Sequence, residues 1–164
     1  MKQNSRTTLI NMDRILKQIS QVYYYIYTAT ILTTVVGYVL TMNEFNPIPM
    51  SSPTGIALKS FVIMYMMISI PLGLSIFSRQ TKKCLEIDDD KIKFQTYKKA
   101  AILRLILIGT SLIGSIIVFF LLRTDVSLIF CAGISAIILL FFCKPTENKI
   151  YSDLKLDESN EEDK

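Results

Sequence analysis

Residues 101–143 read AILRLILIGTSLIGSIIVFFLLRTDVSLIFCAGISAIILLFFC. Two apolar runs, Ala101 to Leu122 and Val126 to Cys143, are separated only by Arg123, Thr124 and Asp125. A hydrocarbon core about 30 Å thick needs roughly 20 helical residues at about 1.5 Å each, and both runs approach that length. The second has 18 residues and no charge. Neither run shows the charged stripe of an amphipathic soluble helix, and neither alternates as a membrane β-strand would. Both predict membrane-spanning helices, and the three-residue turn makes them antiparallel neighbours.

Two further runs lie upstream, Val22 to about Thr41 and about Ile56 to Phe77. The four together cover about half of the 164 residues and contain no Asp or Glu. The fold class that follows is all-α: an integral membrane bundle of four transmembrane helices. The expected organisation is a cytoplasmic segment over 1–21, the transmembrane domain over 22–143 with a loop at 78–99, and a cytoplasmic tail over 144–164.

Lysine and arginine orient the bundle, because basic flanks resist translocation. Lys2, Arg6, Arg14 and Lys17 precede the first span, seven basic residues from Arg79 to Lys99 separate the second from the third, and Lys144, Lys149, Lys155 and Lys164 follow the fourth. Counting Arg104 with them, 16 of the 18 basic residues share one side. Lys59 and Arg123 are the other two. Both termini are thus expected in the cytoplasm, with the chain in a plasma-type membrane, the bacterial inner membrane. The net charge of +4 is explained by topology, so nucleic acid is not an expected partner.

The first span is too long for a cleaved signal peptide and reads as an uncleaved anchor. Tyr23, Tyr24, Tyr25 and Tyr27 sit where aromatic rings with a polar tip anchor at the headgroup level. Ahead of them Leu9, Met12, Leu16 and Ile19 recur at helical spacing, which predicts an amphipathic cytoplasmic helix on anionic headgroups that runs into the span. Pro47, Pro49 and Pro53 make the outer connection an extended loop. Asp88, Asp89 and Asp90 offer N-cap chemistry for a helix that continues through Tyr97 into the third span. A hairpin pairing Leu85 and Ile87 with Ile92 and Phe94 is the alternative. Pro145 ends the fourth helix, Ile150, Tyr151 and Leu154 suit one membrane-surface turn, and the acidic run from Asp157 to Asp163 is too polar to bury anything.

Charged residues within spans are costly, so each needs a reason. Lys59, near the outer end of the second span, can snorkel to the interface. Arg104, near the cytoplasmic end of the third, can snorkel as well. Tyr97 stands seven residues earlier on the same face with Ala100 and Ala101 between, a small-residue corridor open to a partner helix or a headgroup phosphate. Arg104, Tyr97 and Lys59 are therefore the candidate functional residues. Pro71 removes a backbone hydrogen bond and, with Gly73, marks a candidate hinge in the second span.

Several chemistries are excluded by composition. No histidine is present, so neither a Ser–His nor a Cys–His pair nor a histidine metal cluster can be assembled. Cys84, Cys131 and Cys143 form no C-x-x-C motif, and two of them face a reducing compartment. Cys143 at the membrane surface is a candidate acylation site. No carboxylate lies in a span, which argues against proton- or cation-coupled transport. No catalytic residue, metal or cofactor is assigned.

Small residues supply the packing chemistry: Thr33 and Gly37 in the first span, Ser111 and Gly114 in the third, Ala132 and Ala136 in the fourth. The resulting expectation is a non-enzymatic accessory or scaffold protein whose partners are the lipid bilayer and another membrane protein or a second copy. The alternative is a small transporter, or a protein binding a lipid or other small molecule through Arg104 and a kink at Pro71.

Overall fold

The computed structural model describes residues 2–43, 47–85, 87, 90–122 and 126–154, with no side-chain description for 2–11, 90, 91, 147, 148, 151 and 154. Glu44 and Asn46, the Asp88-Asp89 part of the N-cap, the turn from Arg123 to Asp125 and the acidic run from Asp157 lie outside the described residues. So do the side chains of Leu9, Asp90, Tyr151 and Leu154.

The described residues form helices α1 (Lys2–Met42), α2 (Pro53–Leu85), α3 (Asp90–Leu122), α4 (Val126–Phe142) and α5 (Glu147–Leu154). Three of them, α1, α2 and α3, are long and apolar enough to cross a membrane, whereas α4 is an apolar helix of 17 residues. At about 1.5 Å per residue, the 41 residues of α1 span about 60 Å, roughly twice the hydrocarbon thickness. The segment before Val22 and the span thus belong to one uninterrupted helix.

The long connection expected at 78–99 is mostly helix. Residue by residue, α2 continues to Leu85 and α3 starts at Asp90. The hairpin alternative is therefore corrected, because Leu85 belongs to α2 while Ile92 and Phe94 belong to α3. Phe94 is fully buried, and the Cys84 Sγ meets the Lys93 carbonyl oxygen at 3.6 Å, so side-chain packing between two helix ends joins these segments.

Local chemistry sets the other boundaries. Ser52 caps α2, its Oγ accepting from the Gly55 N–H at 3.0 Å, and Pro53 takes the first helical position, where a missing N–H costs nothing. The Ile48 N–H donates to the Leu121 carbonyl at 3.0 Å and ties the outer connection to the end of α3. At the far end of α4, the Lys149 ammonium donates to the Phe142 carbonyl, satisfying one of the acceptors that a helix terminus leaves open.

The central element is α3, against which α1, α2 and α4 each pack principally. The buried share of the membrane-length window is 6% in α1, 28% in α2 and 44% in α3, which puts α1 at the periphery. One apolar cluster joins Met12, Ile15, Ile19 and Tyr23 of α1 to Phe77, Phe94, Tyr97, Leu105, Leu139 and Ile150. A smaller one at the other end joins Val62, Val118, Leu122 and Leu128. The first cluster places the start of α1, the end of α2, the start of α3 and the end of α4 at one end of the bundle, with α5 against them.

Between the clusters, hydroxyls close most of the polar positions locally. Thr30, Thr33 and Thr34 each donate to the carbonyl four residues earlier in α1, at 2.7, 2.8 and 2.9 Å. Ser111 meets Ser135 across helices at 3.4 Å, and Tyr65 meets Thr110 at 2.7 Å. Ala132 and Ala136 pack against the larger cluster.

Glycine serves different purposes along the chain. At Gly37 a Cβ would overlap the Phe120 ring, so this position permits the approach of α1 to α3. At Gly114 a Cβ would meet nothing within 4 Å, and at Gly73 it would reach Leu107 at 3.7 Å, an ordinary contact. Pro71 stands in the middle of an uninterrupted α2. Gly37→Ala is expected to lower stability in detergent by about 1–3 kcal/mol through overpacking. Gly73→Ala is expected to match the wild type or gain up to about 1 kcal/mol of helix propensity. Thermal unfolding of the two variants side by side checks the contrast.

Candidate functional site

The polar centre of the molecule lies where α2, α3 and α5 meet. One heptad of α3, Tyr97 to Arg104, places both side chains on the same face, and Phe77 of α2 fills the space between them. The Phe77 ring stands edge-on to Tyr97 with centroids 5.6 Å apart, and the Arg104 guanidinium carbon lies 3.7 Å from its centroid. The second contact is a cation–π arrangement within the distance at which the ring quadrupole attracts a cation.

Arg104 is only 6% exposed, so it does not snorkel to the aqueous surface. Residues from three other segments cover it: Ile19 of α1, the linker through Lys144, Pro145 and Thr146, and Lys149 and Ile150 of α5. Its Nε is buried without a hydrogen-bond partner among the described residues, a condition shared with the hydroxyls of Tyr27 and Ser69. Arg104 differs from those two in carrying a charge, and an unsatisfied charged donor costs more than a neutral one.

Tyr97 is 3% exposed and donates its hydroxyl to the Asp153 Oδ2 at 2.9 Å. This bond ties α5 to α3 and engages the Asp153 carboxylate. Lys149 stands outside the membrane-length helices, and burial, then the charge of Arg104, pushes its ammonium below the usual lysine range, against the opposing pull of Asp153 and Cys143. Arg104 and Lys149 therefore share one small region, and Asp153, the carboxylate described there, accepts from a tyrosine.

The space in front of Arg104 is a crevice of about 10 Å³, lined also by Tyr97, Ala101, Cys143 and Lys149. About one water-sized body fits such a volume. Cys143 is 1% exposed in its wall, so acylation of this thiol requires the crevice to open. None of Cys84, Cys131 and Cys143 is in a disulfide, and all three are buried. Among the described residues no group of three or more His, Cys, Asp or Glu is placed to hold a metal ion.

The remaining candidate, Lys59, is half-buried in the first turns of α2 and does not join this site. From Lys59 to Phe77 is eighteen helical residues, about 27 Å along the axis. Gly73 does approach it: a Cβ there would lie 3.9 Å from the Arg104 Cα. The sequence singled out Arg104 and Tyr97 as candidates but not their neighbours Phe77, Asp153 and Lys149. No spacing rule links those three to α3, because each arrives from another helix.

A second concavity is apolar. Leu32, Val36, Leu40, Ile117, Phe120 and Leu121 line a groove of about 360 Å³ between α1 and α3. The hydroxyls of Thr33 and Thr41 at its edge are spent on carbonyls of α1, so nothing polar converges on it. Comparison with protein-family models, curated proteins and solved structures returns no match, so the chemistry is argued from this geometry.

Removing the Tyr97 hydroxyl tests the tie between α3 and α5. Tyr97→Phe and Asp153→Asn should each lower stability, and Tyr97→Phe by about 1.5–3 kcal/mol, the range for a hydrogen bond to a charged group. The double variant should lose clearly less than the sum of the two, since both report one bond; equilibrium unfolding in detergent measures the cycle.

Proposed function

We propose that the chain is a non-enzymatic, multi-pass accessory or scaffold protein of a plasma-type membrane, the bacterial inner membrane, with four crossings and both termini in the cytoplasm. The fourth crossing is α4. Its 17 residues, about 25 Å long, lie at the short end of the spanning range. Support comes from its packing: Leu128 joins the cluster around Leu122, while Leu139 joins the one around Leu105, so α4 runs the height of α3's apolar part. The orientation rests on the basic residues concentrated at the end that gathers the start of α1, the α2–α3 connection and the end of α4.

The observation that carries the scaffold reading is the filled interior. Leu105, Ile108, Ser111, Ser115, Leu128, Ser135 and Leu139 are each at most 1% exposed. A carrier places a polar binding cavity near the midplane, and here that level holds leucine, isoleucine and two serines bonded to each other. The working surface is then the outside of the bundle, above all α1, where Ile31, Val35, Tyr38 and Met42 are 53–69% exposed along one helical stripe. An apolar helix of another membrane protein, or of a second copy, suits such a stripe.

A photoreactive residue at Val35 is expected to give a cross-linked product of discrete mass in native membranes. The same residue at Phe141, a 76% exposed position on α4, is not. Equal failure at both positions would remove the scaffold reading. For the orientation, an impermeant maleimide should label Ser51→Cys on intact cells and Lys82→Cys only after permeabilisation, with little background because the native thiols are buried. The reverse pattern would overturn it.

A further inference from the structure

The crevice beside Arg104 has features that the scaffold reading does not use. A guanidinium offers five N–H donors in one plane. One face of this plane is taken by Phe77, which leaves its rim as the hydrogen-bonding edge, and the Nε–H on that rim has no acceptor among the described residues. The side chain is more than nine-tenths buried. Lys149 and the exposed Lys144 line the same crevice, and no carboxylate is among the described residues that line it. The Asp153 carboxylate accepts from Tyr97.

We propose that Arg104, with Lys149 and Lys144, forms a binding site for a tetrahedral phosphate-type anion at the cytoplasmic surface of the membrane. The size of the crevice dictates how such a group enters. About 10 Å³ admits one oxygen and excludes a whole phosphate. One oxygen enters beside the guanidinium and accepts from its N–H groups, a charge-assisted contact that arginine makes readily with phosphate. The other oxygens stay at the mouth beside the two ammonium groups. A carboxylate with one oxygen in the crevice has a single oxygen left for the mouth, whereas a tetrahedral phosphate group has more, so the three cations suit the tetrahedral group. Phospholipid headgroups and free phosphate share this chemistry, and Arg104 stands at the height where headgroups are expected under the proposed topology.

The test uses the full chain purified in a maltoside free of phospholipid, with thermal unfolding as the readout, because a ligand that binds the folded state raises the unfolding temperature with its concentration. Inorganic phosphate is titrated in one arm, and phosphatidic acid or phosphatidylglycerol, each against phosphatidylcholine, in the other. Saturable stabilisation by phosphate or by the anionic lipids supports the site, and the arm that responds identifies the source. Arg104→Lys keeps the charge but loses the planar guanidinium donors and should weaken binding about tenfold or more. Should that variant fail to fold, Lys149→Gln, at the crevice mouth, is expected to shift the same titration to higher concentration. No stabilisation in either arm, or equal stabilisation of wild type and both variants, overturns the proposal and leaves the crevice to water. Neither result depends on the α1 cross-linking outcome.

Discussion

In hydrocarbon a helix gains nothing by hiding apolar side chains from its surroundings, so its place is decided by close contact with another helix. In this chain that contact is with α3. Alanines at 100 and 101, the Ser111–Ser115 face and the fully buried Leu105 and Ile108 let three helices approach it from different sides. Remove that surface and α1 has no other extensive neighbour, since most of its membrane-length part is exposed. The same helix carries Tyr97 and Arg104, so the element that organises the bundle also organises its polar site.

Two different solvents shape the ends and the middle. In the apolar stretches most described hydroxyls bond to their own helix or to one another, those of Tyr27 and Ser69 excepted. At the end that gathers the start of α1 and α5, helices α1, α2 and α3, each longer than a bilayer needs, keep an apolar core of Met12, Ile19, Phe94 and Ile150. Arg104 lies at the boundary between these regimes. Phe77 stands against its guanidinium, and Lys149 and Ile150 of α5 line the crevice beside it.

Much of the helical content was legible in the residues. Apolar runs of spanning length and Pro145 as a stop are local signals, each read within a few positions, whereas Pro53, expected in the outer loop, opens α2 because proline suits the first helical position. The long continuations were less so. The residues favour a helix running through Tyr97 into the third span, but a hairpin of Leu85 and Ile87 with Ile92 and Phe94 stays open beside it because a short apolar alternation resembles either element, and the observed helices α2 and α3 decide. Gly114 shows the limit of composition: it belongs to a small-residue pattern, yet nothing approaches it within 4 Å.

From the amino-acid order alone came the all-helical membrane class, the exclusion of histidine-based chemistry and the choice of Arg104 and Tyr97. Each of those depends on the composition of one segment or on spacing along one helix. Only the tertiary structure decided that α3 is central, that Gly37 faces an aromatic ring, and that Arg104 is closed in rather than reaching for the surface. The reason is geometric. Hydropathy sums over neighbours in the chain, whereas the surroundings of a guanidinium are set by Ile19, Phe77, Lys149 and Asp153, contributed by helices whose mutual approach no local pattern encodes.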